Sequence, residues 1–188
     1  MFDAVAERTV ALTLYTDSYV VRGNVRTRQK RITDILNLAD EEFLVVEEAV
    51  IDPLGTHGEV IRGEFAQVNL ATVLFAVSDV PVEATPELRT PKMAEQALVT
   101  VPPFTVIGSI HLLPERALRD ALGELTGRFI PVTDATYWSD IVGEPRTPAM
   151  IVAVNHARAQ IVAPHRVVDP WTGLSTSGAA GARPEPSA

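Results

Sequence analysis

The chain has 188 residues, sixteen Lys and Arg against twenty-four Asp and Glu for a formal charge of −8, and no cysteine. That length allows one ordinary domain or two small ones with a real core. The missing cysteine excludes disulfides, thiolate nucleophiles and cysteine zinc sites, and the negative charge excludes a surface that grips nucleic acid throughout, because phosphate binding rests on neutralising cations.

The N-terminus carries Asp3 and Glu7 before any apolar run, so it does not read as a signal peptide. No apolar stretch approaches the roughly 20 residues of a membrane helix. A cytoplasmic protein without a transmembrane segment is expected.

In chain order, VALTLYT (10–16) and YVVRGNV (19–25) alternate Val, Leu and Tyr with polar residues around a TDS turn, the pattern of a β-hairpin. In the second strand Val21, Gly23 and Val25 share one face, Arg22, Asn24 and Arg26 the other. Arg22, Arg26, Arg28, Lys30 and Arg31 then place five cations within ten residues of an acidic chain. Read as a site, such a cluster draws an anionic partner: a nucleic acid, a phosphorylated ligand, or the acidic run Asp40, Glu41, Glu42, Glu47 and Glu48 of a second copy. Read without a site, it is a solvated loop.

Ile32, Ile35, Leu36 and Ala39 follow helical spacing. EFLVVEEAVI (42–51) reads as a strand, followed by a loop of about thirteen residues. QVNLATVLFAV (67–77) reads as a strand, a turn opened by Asn69 and a returning strand, since Asn tolerates the left-handed backbone of tight turns. SDVPVEATPELRTPKMAEQ (78–96) contains three prolines and reads as an extended linker.

After the linker the pattern returns. At an offset of 86, Asp34 meets Asp120, Leu36 meets Leu122, Phe43 meets Phe129, Val46 meets Val132, Ala49 meets Ala135, Val68 meets Val154 and Asn69 meets Asn155; Gly23 meets Gly108 at 85. The second copy has its own helix through Leu118, Ala121, Leu122 and Leu125, opened by Pro114 and stopped by Gly127. A duplicated module is the expectation. The fold class is mainly β with one short helix per repeat, in two tandem small barrels or curled sheets: 8–78 and 97–168, joined by a 79–96 linker. A 169–188 tail follows, disordered from about 175.

The LYTDSYVVRGNV hairpin, the RITDILN and ALRDALGEL helices, FIPVTDA and AVNHARAQIV together resemble an uncharacterised bacterial family known only as a domain of unknown function, over most of residues 10 to 165. That resemblance implies no activity. A weaker likeness is to Sm-like small β-barrels, through the glycine-bearing second strand and VIRGEF (60–65). The helix inside the module and the missing Arg-Gly in TPAMIV depart from it.

Catalytic chemistry has few candidates. His57, His111, His156 and His165 show no metal-ligand spacing, and no phosphate or nucleophile motif occurs. Asp34 and Asp120 read as partners of Lys30 and Arg116 in i, i+4 ion pairs rather than as an acid-base pair. No cofactor, metal or catalytic residue is assigned. The expected function is a non-enzymatic interaction or scaffold protein that self-associates and binds partners through the basic loop and β edges. Binding of RNA or another anion through the same loop is the alternative, and an enzyme would need His57 or His111 beside a carboxylate.

Overall fold

The computed structural model describes residues 6–38, 42–55, 58–78, 93–114, 119–120 and 127–165. The strands are β1 (Arg8–Thr16), β2 (Tyr19–Thr27), β3 (Phe43–Pro53), β4 (Ile61–Asn69), β5 (Val73–Val77), β6 (Met93–Val101), β7 (Phe104–Leu112), β8 (Phe129–Ser139), β9 (Glu144–Asn155) and β10 (Ile161–Pro164). Helix α1 (Ile32–Leu36) follows β2, and a 3-10 turn, His156–Arg158, follows β9. The architecture is mainly β; besides α1, Arg119 and Asp120 are helical among the described residues. Leu118, Ala121, Leu122 and Leu125, expected in a second helix, lie outside them, as does the tail from 166.

All ten strands belong to one antiparallel sheet in the order β10-β6-β7-β8-β9-β5-β1-β2-β3-β4. Within it β5 lies beside β1 and a meander runs from β1 to β4; β10 lies beside β6 and a meander runs from β6 to β9. Registers agree position by position. Leu12 opposes Gly23 as Ala97 opposes Gly108, and Tyr15 opposes Phe75 as Thr100 opposes Ile161. The segments expected as separate modules meet edge to edge through β5 and β9, with Phe75 opposite Val154, Ala76 opposite Ala153 and Val77 opposite Val152.

The alternation read from β1 and β2 holds. Val10, Leu12, Leu14, Val21 and Val25 are buried with Ile32, Ile35 and Leu36 of the helix and Leu44 and Val46 of β3 in one core. The other core gathers Val99, Val106, Ile110, Val132 and Val152 of the second half with Tyr15, Val20, Leu74 and Phe75 of the first. Leu14 and Tyr15, Val21 and Val20, Ala76 and Phe75 are thus sequence neighbours on opposite faces serving different cores. Where β1, β2 and β5 meet, the sheet is covered on both faces.

Three expectations are corrected. The thirteen-residue loops do not exist, because β3 runs to Pro53 and β4 begins at Ile61, while β8 runs to Ser139 and β9 begins at Glu144. Pro145 and Pro148 hid the start of β9; that part of the strand pairs with β8 on one side and β5 reaches only residues 152–154 on the other, an edge position where proline is tolerated. The Asn turns form no hairpin ladder, since β5 pairs with β1 and β9 and not with β4. Finally, β6 starts at Met93, within the stretch expected as linker; residues 79–92 lie outside the described part.

Candidate interaction surfaces

The five cations separate into two groups. Arg22 and Arg26 stand on β2 and form ion pairs across the strand boundary with Asp52 and Glu47 of β3; Arg26 Nε donates to Glu47 Oε2 at 2.9 Å. Glu47, one of the acids expected to receive the cluster from a second copy, and Asp52, which was not, therefore neutralise part of it within the chain. Asn24 Nδ2 donates to Glu48 Oε2 at 2.8 Å on the same face, leaving a shallow groove of about 640 Å³ bordered by Asn24, Arg26, Glu47, Glu48, Glu64 and Phe65. Three carboxylates against one paired guanidinium make this groove no anion site.

Arg28, Lys30 and Arg31 sit on the exposed β2–α1 connection and make no ion pair among the described residues. The connection is held from below by Arg8, whose Nε donates to the Gln29 carbonyl at 3.1 Å and whose NH2 group donates to the Lys30 carbonyl at 2.6 Å. The expected Lys30–Asp34 pair is absent: Asp34 is exposed in the first turn of α1 with no ion pair among the described residues. Asp120 is exposed as well, and its expected partner Arg116 lies outside them.

Gly23 and Gly108 occupy equivalent bends. A Cβ on Gly23 would stand 2.5 Å from the Glu47 carbonyl oxygen and 2.6 Å from a Val46 methyl; on Gly108 it would stand 2.8 Å from the Thr133 carbonyl oxygen and 2.7 Å from a Val132 methyl. Opposite each glycine the pairing slips by one residue, and Glu48 and Asp134 adopt φ of 51° and 48°. A bulge with a left-handed residue bends the strand into the glycine. Glu48 and Asp134 are the acid pair that sequence reading missed; their offset of 86 was the available signal.

The two asparagines have different jobs, and neither uses the left-handed backbone expected of it. Asn69 accepts the Ala71 N–H through Oδ1 at 2.8 Å and closes its own turn. Asn155 is buried at the β5–β9 junction, where Nδ2 donates to the Val73 carbonyl at 2.8 Å and more distantly to that of Leu70. Other residues tie the halves together without having been singled out. Asn37 donates to the Phe129 carbonyl and accepts the Phe129 N–H, both at 2.8 Å, and Arg158 pairs with Asp17.

Within the second core, Tyr15 stacks on Phe75 and meets Phe104 and Tyr137 edge-on. The two tyrosine hydroxyls lie 3.0 Å apart, and that of Tyr15 donates to Glu144 Oε1 at 3.4 Å. Burial pushes the Tyr15 hydroxyl far above the ordinary tyrosine range, and the Tyr137 hydrogen bond and the Glu144 charge act in the same direction. Burial raises Tyr137 too. Both hydroxyls therefore lose their protons only above the ordinary tyrosine range.

His111 Nε2 meets the Thr133 hydroxyl at 2.7 Å rather than a carboxylate. His57 lies outside the described residues. Among the described residues no three His, Asp or Glu side chains gather to hold a metal, and no helix is long and apolar enough to cross a membrane.

The remaining surface feature is the pair of sheet edges. β4 and β10 end the strand order. On β4, Ile61 and Phe65 are 55% and 63% exposed, Phe43 beside it on β3 is 45% exposed, and Ile161 on β10 is 55% exposed. Comparison with known proteins adds nothing to this geometry: no family model matches the chain, and no curated protein or solved structure matches it significantly.

Proposed function

We propose that this chain is a non-enzymatic interaction protein, made of a duplicated β-rich module, that self-associates through the free edges of its sheet. The observation that carries the reading is the apolar character of those edges. An exposed strand edge offers unpaired N–H and C=O groups as a template for another strand, and natural edges are usually blunted with charge, proline or a covering element. Ile61 and Phe65 on β4 and Ile161 on β10 stand in solvent there, beside the exposed charges of Arg62 and Glu64 on β4 and ahead of Pro164 at the end of the four-residue β10. Duplication is supported by the shared strand order, registers and bulged bends of the two halves. The bent second strand at Gly23 and Gly108 supports the likeness to Sm-like small barrels as architecture, without a ligand attached to it.

Mass measurement by light scattering tests the reading. Species heavier than one 20.3 kDa chain are expected, surviving from about 0.1 to 1 M salt because apolar edges are not screened. A single chain at every concentration and salt would refute it.

A second reading rests on Arg28, Lys30 and Arg31, exposed together without acidic partners among the described residues. These three would bind a polyanion such as RNA with an affinity that falls steeply as salt rises. Replacing Arg28 and Arg31 by glutamate abolishes RNA binding on this reading, and retained binding would dismiss it. Arg22 and Arg26, held by Asp52 and Glu47, drop out of the site.

A further inference from the structure

Resting on the self-association reading, we infer that two copies join by adding β10 of one to β4 of the other, antiparallel, with Ile161 opposite Val68, Val162 opposite Gln67 and Ala163 opposite Ala66. The joint already exists inside the chain. β9 lies 86 positions beyond β4 and β10 lies 86 beyond β5, and β9 and β5 pair with Val154 opposite Phe75, Ala153 opposite Ala76 and Val152 opposite Val77. Transferring those pairs to the two edge strands gives the intermolecular register directly.

Burial at matched positions supports the transfer independently of topology. Phe129 stands on β8 next to the joint and is 2% exposed, packed into the first half's core; its counterpart Phe43, next to the free β4 edge, is 45% exposed. On the receiving side, Phe75 of β5 is 0% exposed, whereas its counterpart Ile161 on β10 is 55% exposed. Phe129 and Phe75, both covered at the internal joint, thus have uncovered twins in Phe43 and Ile161 at the two ends of the sheet, while Val68, the twin of Val154, is already buried in the first core. The register brings Ile161 to β4 as Phe75 comes to β9, and sets Phe43 against the partner's second half as Phe129 lies against the first.

The surfaces differ, so the contact is heterologous: every chain offers one β4 edge and one β10 edge. Repeated head to tail, it closes into a ring or extends as a filament whose units are the modules, alternately joined within and between chains. Being backbone pairing flanked by apolar side chains, it is insensitive to salt, unlike a contact through Arg28, Lys30 and Arg31.

The test uses the full chain with Phe43→Glu and, separately, Ile161→Glu. Both side chains are half in solvent in the single chain, so circular dichroism stays that of the unchanged protein, and Phe43→Ser and Ile161→Ser carry the test should glutamate prevent folding. Each variant alone is expected to lose every species above one chain by light scattering. Mixed, they are expected to form a dimer and nothing larger, because the Phe43→Glu chain retains a sound β10 edge and the Ile161→Glu chain a sound β4 edge. Assembly that survives both substitutions, or folded variants that form no dimer on mixing, would overturn this joint and leave self-association standing. An unchanged chain that remains single would overturn both.

Discussion

At the scale of single residues, the most constrained positions are those where backbone meets backbone. Gly108 faces the Thr133 carbonyl, a Val132 methyl and the Ala135 Cα, all within 3 Å of where a Cβ would sit. Two of these are main-chain atoms that no rotamer change can move. Gly108→Ala is therefore expected to cost about 1–3 kcal/mol, the usual penalty of overpacking, measured as a lower urea midpoint with unchanged slope. The glycine's importance was legible from its match with Gly23; its cause was not, because the bulge at Asp134 is a property of the pairing. Tyr15 and Tyr137 give a pH dependence with a definite sign. Both hydroxyls are raised above the ordinary value of 10.0, so between that value and their folded values the unfolded chain releases protons that the native chain keeps. Their contribution to stability is complete below pH 10 and is lost as pH rises beyond it. Unfolding free energies measured from pH 8 to 11 should fall above 10, and fall less in the Tyr15→Phe, Tyr137→Phe double variant; an equal fall in both would dismiss the assignment.

At the scale of elements, helix α1 shows how a five-residue helix holds its place. Too short to be stable alone, it buries Ile32, Ile35 and Leu36 against the sheet and ends at Asn37, whose side chain imitates one residue of a strand toward Phe129. Asn37→Ala leaves the N–H and C=O of a buried residue without partners, at a cost of about 1–3 kcal/mol in a denaturant titration. Arg26→Ala removes an exposed ion pair and is expected to cost under about 1 kcal/mol, although Arg26 stood out in the sequence and Asn37 did not. Strands β1 and β2 were legible from alternation, β3 from its apolar run, and α1 from its apolar spacing. The first half of β9 was not, because Pro145 and Pro148 erase the pattern wherever an edge position tolerates them. The β2–β3 ion pairs were not legible either: which acid faces Arg22 or Arg26 depends on a register that shifts at the bulge.

At the scale of the whole molecule, the halves are interlocked rather than strung together. Tyr15, Val20 and Phe75 serve the second core while Phe129 and Ala153 serve the first, and Asn155, Asn37 and Arg158 bond across the junction. Residues 1–85 and 86–188 prepared separately are expected to be unstable as monomers and to reconstitute the β-rich circular dichroism spectrum on mixing; two halves that each unfold cooperatively as monomers would show the junction to be dispensable. The order in which apolar and polar side chains arrive was enough, by itself, to determine the β class, the first hairpin with its inner and outer faces and the short helix, because strand and helix periods are local properties of the chain. Only the tertiary structure decided that β5 leaves β4 to lie between β1 and β9, that Arg22 and Arg26 are neutralised at home, and that Phe43 is exposed where Phe129 is buried. Those outcomes depend on which edges meet, and strand pairing is settled by contacts between residues far apart in the chain.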